Sequence, residues 1–365
     1  MEKLAEDLRM EILLRLPDFK SILRCKCLSK SWYSLISSPK FTDLHFQRSS
    51  SQHAHRFLYT NPPERIRSID INASFNDHSA TIELDFPLIK PYTDINIITS
   101  CRGFLLLMLV KDQLLFLWNP TTGLHKQISN PPLPWVPTIS YGFCYDESVD
   151  DYLVVAFNFN DPSWLESFVI FSLRTNSWQK LTISDSYQLP KITIPFPVKS
   201  GSFLNGSIHW LISCCDPPQV EAKIIALDIT TKDLREIPGP PDDDDNCMNY
   251  DLGVLGGFLT ITSYYKHNSL GEVKIWRMRE YGVKSSWTKL ISLSGQRKIS
   301  YILPLCFTKD GEILAVDSGI GLSKWSDGSG NLLEYLEFWG RPHKSWVQYT
   351  ETIHSLPLTA SFLST

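Results

Sequence analysis

The chain carries nine histidines, eight cysteines and 39 Asp or Glu residues, so the spacing of these groups decides what chemistry is open to it. The cysteines are Cys25, Cys27, Cys101, Cys144, Cys214, Cys215, Cys247 and Cys306. None forms a CxxC pair, so the usual zinc spacing is missing. Several sit inside apolar runs such as "YGFCYD" and "LPLCFT", which predicts buried free thiols in a reducing compartment. His209 lies in "SIHWL" and is expected to be a hydrogen-bonded core histidine rather than a general base. The run Asp242–Asp245 has carboxylates enough for a cation, but "IPGPPDDDDNC" is the composition of a solvated loop. The chain has no GxSxG elbow and no HExxH pair. "GIGLSK" at Gly319 imitates a phosphate loop without the strand-then-helix setting that aims amides at a phosphate. No catalytic residue, no metal site and no cofactor is expected.

The elements around these residues read as two kinds of structure. The 365 residues suffice for one large domain and a small one, and 43% hydrophobic residues can build a sizeable core. The net charge of −4 argues against nucleic acid or a membrane surface as partner. The N-terminal "MEKLAEDLRM" lacks the apolar run of a signal peptide, and no stretch approaches the 18 apolar residues of a membrane span. The sequons at Asn72 and Asn205 are therefore expected to be chance matches, and the location cytoplasmic, nuclear or both.

Residues 1–45 read as three short helices. Leu8, Ile12 and Leu16 recur at helical spacing, and Pro17 ends that segment. Asp18 is positioned to cap a second helix with Phe19, Ile22 and Leu23, and Ser29 to cap a third with Trp32, Leu35 and Ile36 on one face, which Pro39 stops. So small a module cannot bury all of that apolar surface, which must either pack on the rest of the chain or dock a partner.

Residues 46–365 read as β-structure with an internal repeat. Asn119–Ile128, Ser172–Leu181 and Asp228–Ile237 align without a gap, each a polar turn after an apolar strand, and a fourth copy ends at Leu290 after a longer turn. Ahead of each, glycine opens an apolar strand at Gly103, Gly206, Gly257 and Gly311, with Asp150-Asp151 in the same place once. The interval is near 50 residues, the mark of a kelch-like β-propeller, and the length allows about six blades. The last blade would join "HRFLYT" near the start to "ETIHSLPL" near the end. Trp118, Trp178, Trp210, Trp276, Trp287 and Trp325 are expected between blades.

Both halves resemble known families. The helical segment is similar to an F-box through Leu4, Leu8, Ile12, Leu13, Leu16-Pro17, Leu23, Cys25, Lys26, Ser29–Trp32, Leu35-Ile36 and Pro39–Phe41, although Ala5 stands where the family usually has proline. The remainder resembles the F-box-associated domain of plant F-box proteins, including the S-locus group, through "SCRGFLLL", "LWNPTTGLHKQI", "YGFCYDESVDDYLVV", "GSFLNGSIHWL", "DLGVLGGFLTI" and "LPLCFTKDGEIL". The resemblance implies a non-catalytic substrate receptor of an SCF-type cullin–RING ubiquitin ligase. Leu4, Leu8, Ile12, Leu13, Leu16, Pro17 and Leu23 would then bind a Skp-type adaptor, and the propeller a target protein. Inter-strand loops are the expected grip: 61–79, 131–138 with Trp135, 158–164 with Trp164, 216–220, 238–249 with Asp242, Asp243, Asp244 and Asp245, and 264–270. The alternatives are a propeller that binds its target without an adaptor, and a sugar-binding or enzymatic propeller with a structural helical cap.

Overall fold

In the computed structural model, residues 6–354 are described except 17–18, 52–54, 62–64, 89–93, 135–138, 159–166, 184–198, 217–218, 242–246, 266–271, 295–301, 318–320, 327–328 and 338–344. Four helices come first: α1 (Glu6–Leu14), α2 (Phe19–Cys25), α3 (Lys30–Ile36) and α4 (Pro39–Ser51). Ser29 caps α3, its side chain accepting from the Trp32 amide. Pro39 ends α3 as expected, but it also opens a fourth helix. Proline has no amide hydrogen to lose at a helix start, and the Ser38 hydroxyl accepts from the Phe41 amide at 3.3 Å. α4 therefore runs through residue 45, where the sequence put the domain boundary.

Six four-stranded antiparallel sheets follow, which makes the chain a six-bladed propeller behind a helical module. Blade 1 holds β1 (His55–Asn61), β2 (Arg65–Asp70) and β3 (Thr81–Leu84). Blade 2 is β4 (Ile95–Cys101), β5 (Phe104–Leu109), β6 (Leu114–Trp118) and β7 (His125–Ile128). Blade 3 is β8 (Ile139–Asp146), β9 (Asp151–Asn158), β10 (Val169–Ser172) and β11 (Ser177–Lys180). Blade 4 is β12 (Ser202–Leu204), β13 (Ser207–Asp216), β14 (Gln219–Asp228) and β15 (Leu234–Ile237). Blade 5 is β16 (Cys247–Leu255), β17 (Phe258–Tyr265), β18 (Glu272–Met278) and β19 (Trp287–Ser294). Blade 6 is β20 (Ile302–Phe307), β21 (Ile313–Asp317), β22 (Gly321–Trp325) and β23 (Leu332–Glu337). Then β24 (Trp346–Thr350) returns to blade 1, in the order β24-β1-β2-β3. The closing strand is thus five residues that stop just short of "ETIHSLPL", a correction to the sequence expectation. Glu351–His354 lie beyond the sheet.

The chain divides into two compact units. One holds the helices and blades 1 and 2, with β24; the other holds blades 3–6 together with Ser74–His78. Within the second unit the first strands of successive blades lie side by side, β8 by β12, β12 by β16 and β16 by β20. Within the first, β24 lies beside β4.

The repeats have a backbone cause. The first hairpin of blades 2, 4 and 5 is a two-residue turn with both φ angles positive: Arg102-Gly103, Asn205-Gly206 and Gly256-Gly257. That is the hairpin turn whose twist suits the flanking strands. Asp150, aligned with the glycines by sequence, has φ +53°. The third turn repeats as well. Asn119 and Asp228 accept from amides two and three residues on, and Gly123, Asn176 and Lys232, each four residues past the start of its repeat, all have positive φ. Ser326 and Gly330 make the same turn in blade 6, which the sequence alignment missed.

Tryptophans fill the space between blades. Trp210 packs among residues of blades 3 and 4, Trp276 and Trp287 among those of 4 and 5, Trp325 among those of 5 and 6, and Trp118 among those of 1 and 2. Trp178 is only half-buried, yet its indole donates to the Ser129 carbonyl at 2.8 Å. Trp287 makes the same bond to Pro238, also at 2.8 Å, and both bonds span 49 residues, one repeat.

Candidate docking site and its junction with the blades

The helical module turns one apolar stripe outward. Leu8 and Ile12, one turn apart on α1, are 50% and 47% exposed. The Glu11–Arg15 ion pair flanks them, with Arg15 just past the end of the helix. Leu28, Tyr33 and Leu44 are further exposed apolar side chains of the module. Leu13 does not belong to that face. It is 1% exposed and lies in the module core with Met10, Ile22, Trp32, Leu35, Ile36 and Phe41, because a helix with two neighbours must bury one side. Leu16 and Leu23 are half-buried against the same core. Leu4 and Pro17 fall outside the described residues.

The other side of the module is fastened to blades 1 and 2. Asp43, on α4, takes the Arg102 guanidinium at 2.5 Å and the His354 Nε2 at 3.1 Å on one carboxylate oxygen. Arg102 also lies over the Phe46 ring, 5.2 Å from its centroid, and Phe46 meets His354 edge to face. His354 is held by Thr352, whose hydroxyl accepts from the His354 amide at 3.0 Å and lies 3.0 Å from Nδ1. The Asn119 amide donates to the carbonyls of both Thr352 and His354. A Cβ on Gly103 would sit 1.9 Å from Thr352 Cγ2, so only glycine admits this strand of backbone. Arg102 holds φ +45°, a conformation that costs a non-glycine residue about 1 kcal/mol. In the matching turns Asn or Gly stands there, so the arginine is kept for what its side chain touches.

One buried histidine in each unit, His45 and His209, is held towards its neutral form. His45, on α4, is pushed down to about 4 by burial and then by the neighbouring His354 and Arg48. His209 is fully buried and also lowered to about 4, chiefly by burial. Its Nδ1 lies 3.1 Å from the Ser202 carbonyl and its Nε2 2.6 Å from the Tyr281 hydroxyl. Nδ1–H donates and Nε2 accepts, the satisfied core histidine that the sequence predicts. Of the cysteines, Cys144 and Cys306 are buried, and burial lifts the Cys306 thiol to about 12. Cys27 is exposed, against expectation, because it lies in the turn after α2.

The six candidate loops sort by the end of the blade they leave. In an antiparallel blade, the second connection and the link to the next blade share one end, where the first strand begins. Loops 131–138, 158–164, 216–220, 238–249 and 264–270 are all of that kind. Loop 61–79 is not a single loop, because β2 runs through it. Trp135, Trp164 and Asp242–Asp245 lie outside the described residues. Among the described residues, no three His, Cys, Asp or Glu side chains cluster as a metal site, and no helix is long and apolar enough to cross a membrane. The sequence missed Asp43, Arg102, His354 and Ile353. An arginine where the repeat wants Asn or Gly was the one visible sign.

The arrangement is that of a six-bladed propeller preceded in the chain by a helical module. Residues 1–44 match the F-box domain and residues 57–319 the F-box associated beta propeller domain. The chain belongs to the F-box proteins with an F-box-associated propeller. Among curated relatives, the F-box/kelch-repeat protein At3g23880 of Arabidopsis thaliana is 29% identical over 88% of this chain and 86% of its own. The F-box protein CPR1 of the same plant is 25% identical over 90% of this chain and 82% of its own. Among solved structures, TolB from Acinetobacter baumannii overlaps at a TM-score of 0.47 with 9% identity, over 80% of this chain and 66% of that one, and carries no functional argument. This domain pair supports a substrate-receptor role in SCF-type ligases in general terms.

Proposed function

We propose that the chain is the target-receptor subunit of a cullin–RING ubiquitin ligase, in which the Leu8–Ile12 face of α1 docks a Skp-type adaptor. The observation that carries this is a pair of large aliphatic side chains, each about half exposed, on the first helix of an F-box. Leu4, Leu16, Pro17 and Leu23 flank that face in the reading, and Leu13 acts only by holding the helix in place. The chain makes and breaks no bond in this role. It raises the concentration of a target beside the conjugating enzyme, an effective-concentration effect.

The grip is assigned to the blade ends where first strands begin. Of the 23 prolines, only Pro17, Pro39, Pro120, Pro304 and Pro357 lie outside the connections at those ends. Proline fixes φ and so lowers the entropy lost when a loop is held by a partner. Trp135, Trp164 and the acidic run Asp242–Asp245 fall in the same connections and would suit a target with apolar and basic surface.

The test is adaptor affinity of the full-length chain and of the Leu8→Asp, Ile12→Asp double variant. Loss of at least about a hundredfold is expected, since two buried aliphatic contacts become charges. Wild-type affinity in a folded double variant overturns the assignment of that face.

A further inference from the structure

The helical module does not complete its own core. Ile353 is 1% exposed and packs with Met10, Leu13, Ile22, Trp32, Leu35, Ile36 and Phe41. It lies three residues past Thr350, which pairs with His55 on the β1–β24 ladder. One short segment therefore leaves the sheet that closes blade 1 and enters the module that bears the docking face. The Asp43 carboxylate, in contact with both Arg102 and His354, fastens the same segment from its other side.

We infer that docking competence is coupled to closure of blade 1: a chain whose β24 is not seated on β1 has a helical module without Ile353 and His354, and so a weakened docking face. The inference rests on the adaptor reading above and adds a condition to it. A module this small has few other buried side chains to hold it, so withdrawing one isoleucine opens a cavity it cannot fill. Module and closing strand then behave as one cooperative unit. The device ensures that a chain broken off or misfolded before residue 346 presents no sound docking face, so an unclosed propeller is not joined to the ligase. Coupling of this kind is reciprocal, so an adaptor seated on α1 must also hold β24 on β1.

The experiment is hydrogen exchange by mass spectrometry on the full-length chain, with Val347→Ala as the probe. Val347 pairs with Leu58 and packs, partly buried, against the core of blades 1 and 2, a cluster that contains no residue of the helical module. The substitution is expected to speed exchange in β24 and in α1 and α3 by the same factor, about tenfold. Faster exchange in β24 with unchanged helices overturns the coupling. A second arm adds purified Skp-type adaptor. It is expected to slow exchange in β1 and β24 of the wild type, and much less so in Ile353→Ala. Binding that leaves β1 and β24 unchanged also overturns the inference. If the adaptor does not bind at all, the proposed function fails, while the Val347→Ala arm still decides the coupling.

Discussion

Two turns of this protein share a backbone and differ in what surrounds them. Arg102-Gly103 in blade 2 and Asn205-Gly206 in blade 4 each join the first two strands of a blade with both φ angles positive. Around Gly206 there is open space for a Cβ, whereas Gly103 faces Thr352 and the Thr350 carbonyl at close range. Asn205 is a residue that tolerates its conformation, whereas Arg102 is strained and reaches Asp43. The same hairpin thus serves as a plain turn in one blade and as the seat of the helical module in another. Repetition supplies the backbone, and one substitution turns a copy of it into a joint.

Alanine at the two glycines gives the widest contrast. Gly103→Ala is expected to destabilise the fold by more than about 3 kcal/mol or to prevent folding, since the new methyl meets both a steric wall and a wrong φ. Gly206→Ala should cost only about 1 kcal/mol, the conformational part alone. Chemical denaturation of both compares them directly, and equal effects would mean that the approach of Thr352 does not constrain blade 2.

Acid comes next. His45, near the joint, and His209, which pairs with Ser202 beside the plain turn, both have folded values near 4, below the ordinary 6.5. A histidine held neutral contributes stability that is complete above pH 6.5 and is lost as pH falls from there towards 4, up to a few kcal/mol for each. Unfolding free energy measured across that window should fall steeply with acid in the wild type, and less steeply in His209→Gln. A His209→Gln slope equal to the wild-type slope would remove His209 from this account.

Exchanging the arginine and asparagine gives the smallest effects. Arg102→Asn converts the joint into the plain turn and should cost about 1–2 kcal/mol through the lost ion pair, less in high salt because Asp43 is partly exposed. In a cycle with Asp43→Ala the two losses should fall short of additive by about 1 kcal/mol. Asn205→Arg, which puts the strain where nothing repays it, should cost under about 1 kcal/mol. A larger loss at Asn205 than at Arg102 would reverse the ordering of the two turns.

Much of this was legible in the chain. A glycine or a small polar residue at each sharp turn, and a tryptophan one repeat after another, are local demands of a hairpin and a blade interface, so they recur in the sequence at a fixed interval. The cap at Ser29 is likewise a contact of neighbours three residues apart. The errors have the same cause seen from the other side. Pro39 reads as a stop because proline ends helices, and only the cap at Ser38 shows that it also begins one. The closing strand ends at Thr350, short of "ETIHSLPL", and Ile353 of that segment is not a strand residue. Its apolar side chain is instead spent on a helical core more than 300 residues earlier in the chain.

The sequence by itself determined the blade period, the turn positions and an amphipathic first helix, because each depends on residues within a few positions of one another. The tertiary structure decided which apolar side chains of that helix remain exposed, which copy of the turn carries the joint, and that Asp43, Arg102 and His354 meet. Those outcomes depend on residues brought together from three distant segments, and no periodic pattern along a chain records which strangers a fold will make neighbours.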